Sequence, residues 1–113
     1  MEDLKKKIEE TVKSNKIVIF MKGTPEAPRC GFSNQAVQVL KTLNQPIASV
    51  DVLADEPLWD ALEAYTQWPT VPQIFIGGEF VGGCDIVREM FQAGELQQTL
   101  KDKGVAVKAG NAA

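Results

Sequence analysis

A chain of 113 residues has room for one domain, and at that length burial of roughly 65% of the unfolded surface supports folding without a disulfide or metal. Its 44% hydrophobic and 24% charged residues fit a globular protein, and a net charge of −3 with no long basic run argues against nucleic acid as the main partner. No apolar stretch approaches the roughly 20 residues of a membrane span, and the lack of histidine excludes Cys–His pairs, Ser–His–Asp triads and His-ligated metals.

Taken in order, Leu4, Ile8 and Val12 at helical spacing, with Glu2 and Asp3 in the first turn, predict an amphipathic helix over 2–14. Residues 16–21 predict a strand buried on both faces, and 22–29 a Gly/Pro-rich loop. A helix over 31–43 follows and ends near Pro46. Ile47 to Val52 predicts a second strand, parallel to the first because a helix crosses between them. Asp55 can cap a third helix, with Pro57 in its opening turn and Leu58, Leu62 and Tyr65 inward. Residues 73–82 read as a hairpin turning at Gly77-Gly78. A fourth helix after Gly82-Gly83 should bury Ile86, Val87, Met90 and Phe91, and a last one covers about 94–103. The N-terminus, Met1-Glu-Asp-Leu-Lys-Lys-Lys-Ile, lacks the apolar region of a secretory signal, and the tail from Gly104 is weakly patterned and expected to fray.

The chemistry gathers at Cys30, between the first strand and second helix. A helix N-terminus presents unpaired N–H groups, and such settings bring a thiol from about 8.5 to roughly 3.5–7.5. Ser33 stands where a dithiol oxidoreductase carries its resolving cysteine, and a hydroxyl cannot attack a disulfide at neutral pH. Cys30 is then left with exchange against an external thiol or with metal ligation, unless it is simply a buried residue. Lys22, ending the first strand, is either a solvated lysine or a cation for a thiolate and a carboxylate. Pro72 could form a cis bond, exposing the Val71 backbone to an extended peptide. Gly82 and Gly83 permit close approach, and Asp85, at the start of the fourth helix, could cap it or meet an ammonium. Cys84 could form a disulfide with Cys30, act as a ligand, or fill the core.

Met21-Lys-Gly-Thr-Pro, Cys30-Gly-Phe-Ser33, Trp68-Pro-Thr-Val-Pro-Gln73 and Gly82-Gly-Cys-Asp85 together resemble the monothiol glutaredoxins of the CGFS type. The resemblance runs from about residue 5 to 103. It implies an α/β thioredoxin fold, a mixed four-stranded sheet flanked by helices on both faces, with a glutaredoxin domain over 1–104 and a tail over 105–113. It further implies a cis Val71–Pro72 bond and a glutathione site made by Lys22, Phe32, Thr70, Val71, Pro72, Gly83, Cys84 and Asp85. Trp59 departs from the pattern: the family commonly has an Arg there for the glycine carboxylate of glutathione, and Lys22 or another group must carry that role.

A [2Fe–2S] centre usually takes four thiolates. Cys30 from two chains with two bound glutathiones would supply them, which is the cluster-bridged homodimer the resemblance implies; Cys30 and Cys84 from both chains would be the other donor set. The expected function is cluster carriage or sensing, with BolA-like proteins and apo iron–sulfur acceptors as partners by resemblance. The alternative is a monothiol disulfide oxidoreductase that removes glutathione from proteins, in which Cys30 is the catalytic thiol. The insert Thr24-Pro-Glu-Ala-Pro28 marks, by family analogy, the class poor in that reaction. The expected compartment is the cytoplasm, or an organelle matrix or stroma if a transit peptide has been removed.

Overall fold

A computed structural model describes residues 2–103. Four helices and a sheet fall where hydrophobic periodicity places them, followed by a short fifth helix. Helix α1 spans Glu2–Ser14 and buries Ile8 and Val12. Strand β1, Ile17–Met21, has every residue buried, because it lies mid-sheet with helices on both sides. Its side chains alternate between two cores, as the period of a strand requires. Ile17, Ile19 and Met21 pack with Ala36, Val37, Leu40, Val87, Leu96 and Leu100. Val18 and Phe20 pack with Ile8, Val12, Leu58, Leu62 and Phe75 on the opposite face.

The segment expected to be a plain loop instead forms a small hairpin, β2 (Gly23–Thr24) against β3 (Ala27–Pro28). Gly23 makes it possible: its φ is +89°, and an added Cβ would stand 2.5 Å from the Ala27 carbonyl oxygen. Helix α2, Gly31–Lys41, leads to β4, Ala48–Asp51, which pairs parallel with β1. A single 3₁₀ turn, Val52–Ala54, precedes α3, Glu56–Thr66. Asp55 is the N-cap of α3 and accepts from the Leu58 N–H at 3.1 Å, with Pro57 in the opening turn. Leu58, Ala61 and Leu62 are its buried face; Tyr65 is exposed on one side and packs by the other against Phe75, 6.4 Å between ring centroids.

Strands β5 (Gln73–Ile76) and β6 (Glu79–Gly82) form the predicted hairpin and complete a mixed sheet of order β4-β1-β5-β6. Helix α4, Cys84–Gln92, corrects the expected burial: Cys84 and Val87 are buried and Met90 partly so, while Ile86 and Phe91 are exposed. Three-residue steps from Cys84 through Val87 to Met90 trace the inner stripe, and Ile86 and Phe91 fall to its sides. Helix α5, Glu95–Asp102, closes that core with Leu96 and Leu100. The result is the α/β thioredoxin fold. The expected tail, 105–113, lies outside the described residues. Among the described residues no helix is long and apolar enough to cross a membrane.

Candidate functional site: a thiol-bearing cleft

Cys30 is the N-cap of α2, with extended backbone that turns its sulfur towards the helix start. The thiol is half-buried. The Ser33 backbone N–H holds its pKa below the ordinary thiol value, against a smaller opposing effect of burial. The Phe32 N–H, the Lys22 charge and the Ser33 hydroxyl add to the lowering. The helix start therefore stabilises thiolate mainly through specific N–H groups.

Ser33 is fully buried, and its Oγ accepts from the Lys22 N–H at 3.2 Å. It thus occupies the position of a resolving cysteine while tying the Cys30 turn to the end of β1. The Lys22 carbonyl accepts from the Arg29 N–H at 2.8 Å. Asp51 Oδ1 accepts from the Gly23 and Leu53 N–H groups, both at 2.9 Å. The backbone around Lys22 is therefore held on every side. The Lys22 side chain extends over the Trp59 ring, with Nζ 5.4 Å from its centroid.

Across the cleft the Val71–Pro72 bond is cis. Gln73, buried at the start of β5, donates through Nε2 to the Trp68 carbonyl at 2.9 Å and the Thr70 carbonyl at 3.0 Å. Trp68 packs edge-on against Phe80, 5.7 Å between centroids, which in turn lies tilted against Phe75. The 68–72 turn is therefore braced from below by an amide and from behind by aromatic rings. The Trp68 Nε1 and Gln73 Oε1 atoms are buried without a hydrogen-bond partner.

Gly83, the N-cap of α4, faces the same space; a Cβ there would lie 3.3 Å from the Pro72 carbonyl oxygen and 3.6 Å from Trp68 Nε1. Asp85 does not cap α4. It is exposed in the first turn and pairs with Arg88 at 3.2 Å, three residues on along the helix. Arg88 also donates to Gln35 Oε1 at 3.1 Å, and the Cys84 thiol donates to the same oxygen at 3.6 Å. Cys84 is buried, and desolvation raises its pKa. Both cysteines are free thiols.

Lys22, Cys30, Phe32, Thr70, Val71, Pro72, Gly83, Cys84 and Asp85 all line one cleft of ≈ 420 Å³, within the range of small-ligand sites. Trp59, Trp68, Pro69 and Ile86 complete its wall. In the sequence Trp68 and Gln73 stand out only as the ends of one motif, and Asp51 has no assigned role. A polar residue opening an apolar strand was the available signal for Gln73. Asp51 caps the Val52–Ala54 turn through the nearby Leu53 N–H, but no local signal marked its bond to Gly23, 28 positions away. Phe32 is 58% exposed, which leaves an apolar ring standing in solvent beside the thiol.

The glutaredoxin family profile matches residues 17–81, more than half of the chain. Over 98 residues the chain is 53% identical to the chloroplastic monothiol glutaredoxin-S14 of Arabidopsis thaliana, covering 87% of this chain and 57% of that protein. It is 48% identical over 99 residues to the uncharacterized monothiol glutaredoxin ycf64-like of Synechocystis, covering 88% of this chain and 92% of that one. The chain spans 57% to 60% of the length of three plant organellar relatives. The solution structure of reduced poplar apo GrxS14 superposes with a TM-score of 0.79 at 49% identity, covering 88% of this chain and 92% of that one. The crystal structure of a buckwheat glutaredoxin–glutathione complex does so with 0.81 at 28% identity, covering 93% and 94%. Fold, motif words and sequence identity agree: the chain belongs to the glutaredoxin family, with monothiol glutaredoxins as its relatives.

Proposed function

We propose that the chain binds glutathione in the Cys30 cleft and, as a homodimer, shares a [2Fe–2S] cluster with it as a carrier or sensor. The observation that carries this reading is the pairing of one accessible, thiolate-favouring Cys30 with a fully buried Ser33 beside a cleft of tripeptide size. The buckwheat relative was crystallised with glutathione. In this chain Lys22 would meet the glycine carboxylate, the Val71 backbone the cysteinyl strand, and Asp85 with the α4 N-terminus the γ-glutamyl end. Phe32 and Thr70 would close the sides, with Pro72, Gly83 and Cys84 forming the wall.

The donor set fits a shared cluster. Among the described residues no three His, Cys, Asp or Glu side chains come together as a metal site. Cys30 from each of two chains, with two glutathiones, would complete four thiolates. Cys84 is the less available ligand, since its thiol is buried and donates to Gln35 Oε1. The bound centre would supply iron and sulfide for ligand exchange with an apo-acceptor, and a BolA-like protein could take the place of one subunit.

Anaerobic reconstitution of two variants tests the assignment: Cys30→Ser should lose the visible cluster absorption and Cys84→Ser should keep it. Retention of the colour without Cys30 would end this reading. The second reading, glutathione-dependent disulfide reduction by Cys30 alone, is favoured by the same lowered thiol pKa. A colourless protein with brisk glutathione-dependent turnover would select it. Either role suits a cytoplasmic or organellar setting.

A further inference from the structure

We propose that Trp59 is a positioning residue for carboxylate recognition and acts through Lys22, its indole face keeping the ammonium at the mouth of the cleft with all three N–H donors free. This rests on the glutathione reading of the cleft. Both residues line it, and Lys22 Nζ lies 5.4 Å from the Trp59 ring centroid. The ion pairs among the described residues are Lys13–Glu9, Arg88–Asp85 and Lys103–Glu79, and Lys22 takes part in none. The ring is thus its partner in the free protein.

The choice of partner has a chemical consequence. A carboxylate beside Lys22 would neutralise it and occupy its donors, so a ligand carboxylate would have to displace that contact. An aromatic face attracts the charge through its quadrupole and restrains the flexible stem, yet accepts no conventional hydrogen bond. The backbone on either side is already pinned by Ser33, Arg29 and Asp51, which leaves the stem as the mobile part. Trp59 is itself anchored: its backbone N–H donates to the Asp55 carbonyl at 3.1 Å, and its side chain packs on the core that contains Leu58 and Leu62.

The ring also stands between two unlike surfaces. Trp59 lines the thiol cleft on one side and an adjoining groove with Glu56, Asp60 and Glu63 on the other. Without the indole those three carboxylates could draw Lys22 out of the cleft. Trp59 therefore orders the cation and screens it from a competing acidic groove.

NMR of the full chain provides the test. The Lys22 Hε protons, identified by their loss in Lys22→Arg, should carry an upfield ring-current shift that vanishes in Trp59→Leu and persists in Trp59→Phe. Titration with glutathione and with its glycine-amide form then reads function. Trp59→Leu should weaken glutathione about two- to fivefold, the range expected of an exposed cation–π contact. The amide should be little affected, Trp59→Phe should restore most of the loss, and Trp59→Leu should add nothing in a Lys22→Gln background. Equal losses for acid and amide, or an additive loss without Lys22, would overturn the proposal by making Trp59 a direct contact. So would an unshifted Lys22 signal in the unsubstituted protein. Failure of the unsubstituted protein to bind either peptide would instead refute the glutathione reading, and this inference with it.

Discussion

Cys30 and Ser33 stand where a dithiol enzyme has two cysteines, and Ser33 supports the first thiol without replacing the second. Cys30 keeps the accessible sulfur, and Ser33 supplies the N–H and hydroxyl that favour its thiolate. Because the folded-state pKa is lowered, this group adds stability above the ordinary thiol pKa, and that contribution fades as pH falls through the depressed value. Cys84 behaves oppositely: its raised pKa makes its contribution full below the ordinary value and lost at higher pH. Alkylation rates against pH should therefore show Cys30 half-reacting below the ordinary thiol pKa and Cys84 above it, read by peptide mass spectrometry. Coincident profiles would contradict the assignment. Ser33→Ala removes the acceptor of the part-buried Lys22 N–H. Urea unfolding should show a loss of about 1–3 kcal/mol, the cost of an orphaned donor. The same variant should move the Cys30 alkylation profile to higher pH.

At the scale of elements, the 23–28 hairpin sets where Lys22 ends and Cys30 begins. Gly23 cannot be replaced cheaply, since its φ is +89° and a Cβ would meet the backbone of Ala27 and Arg29 at 2.5 and 2.8 Å. Gly23→Ala should cost about 1–3 kcal/mol or more, in the range of a strained left-handed residue. It should also raise amide exchange across 23–29. Unchanged exchange there would show that the hairpin is not the brace described. Asp51→Ala should produce the same local loosening at Gly23 and Leu53 while leaving α1 protected. This hairpin marks the limit of what was legible from local pattern. Gly and Pro residues announced a turn between 22 and 29, but its hydrogen bond to Asp51 joins Gly23 to a residue 28 positions further on. The α3 cap at Asp55 and the β5–β6 turn at Gly77-Gly78 depend on neighbours within a few residues, and both were legible. Ile86 and Phe91 were misplaced because apolar residues around α4 are too many for one stripe, and only tertiary packing selects Cys84, Val87 and Met90.

The whole molecule is a two-faced frame around β1, with α2, α4 and α5 on one side and α1 and α3 on the other. The cleft draws residues from both ends of the chain's order, from Lys22 to Ile86, so its integrity depends on the sheet as a unit. Leu40→Ala, in the α2 core, should lower global stability by about 2–5 kcal/mol with little change in the Cys30 alkylation profile at temperatures where the protein stays folded. The central claim lies above the single chain: two copies pool two Cys30 thiolates with two glutathione thiols. Iron, sulfide and glutathione should be quantified per chain after anaerobic reconstitution with and without glutathione. The account predicts about one of each per chain with the tripeptide, and no durable centre without it. An equally durable centre assembled in the absence of glutathione would contradict it.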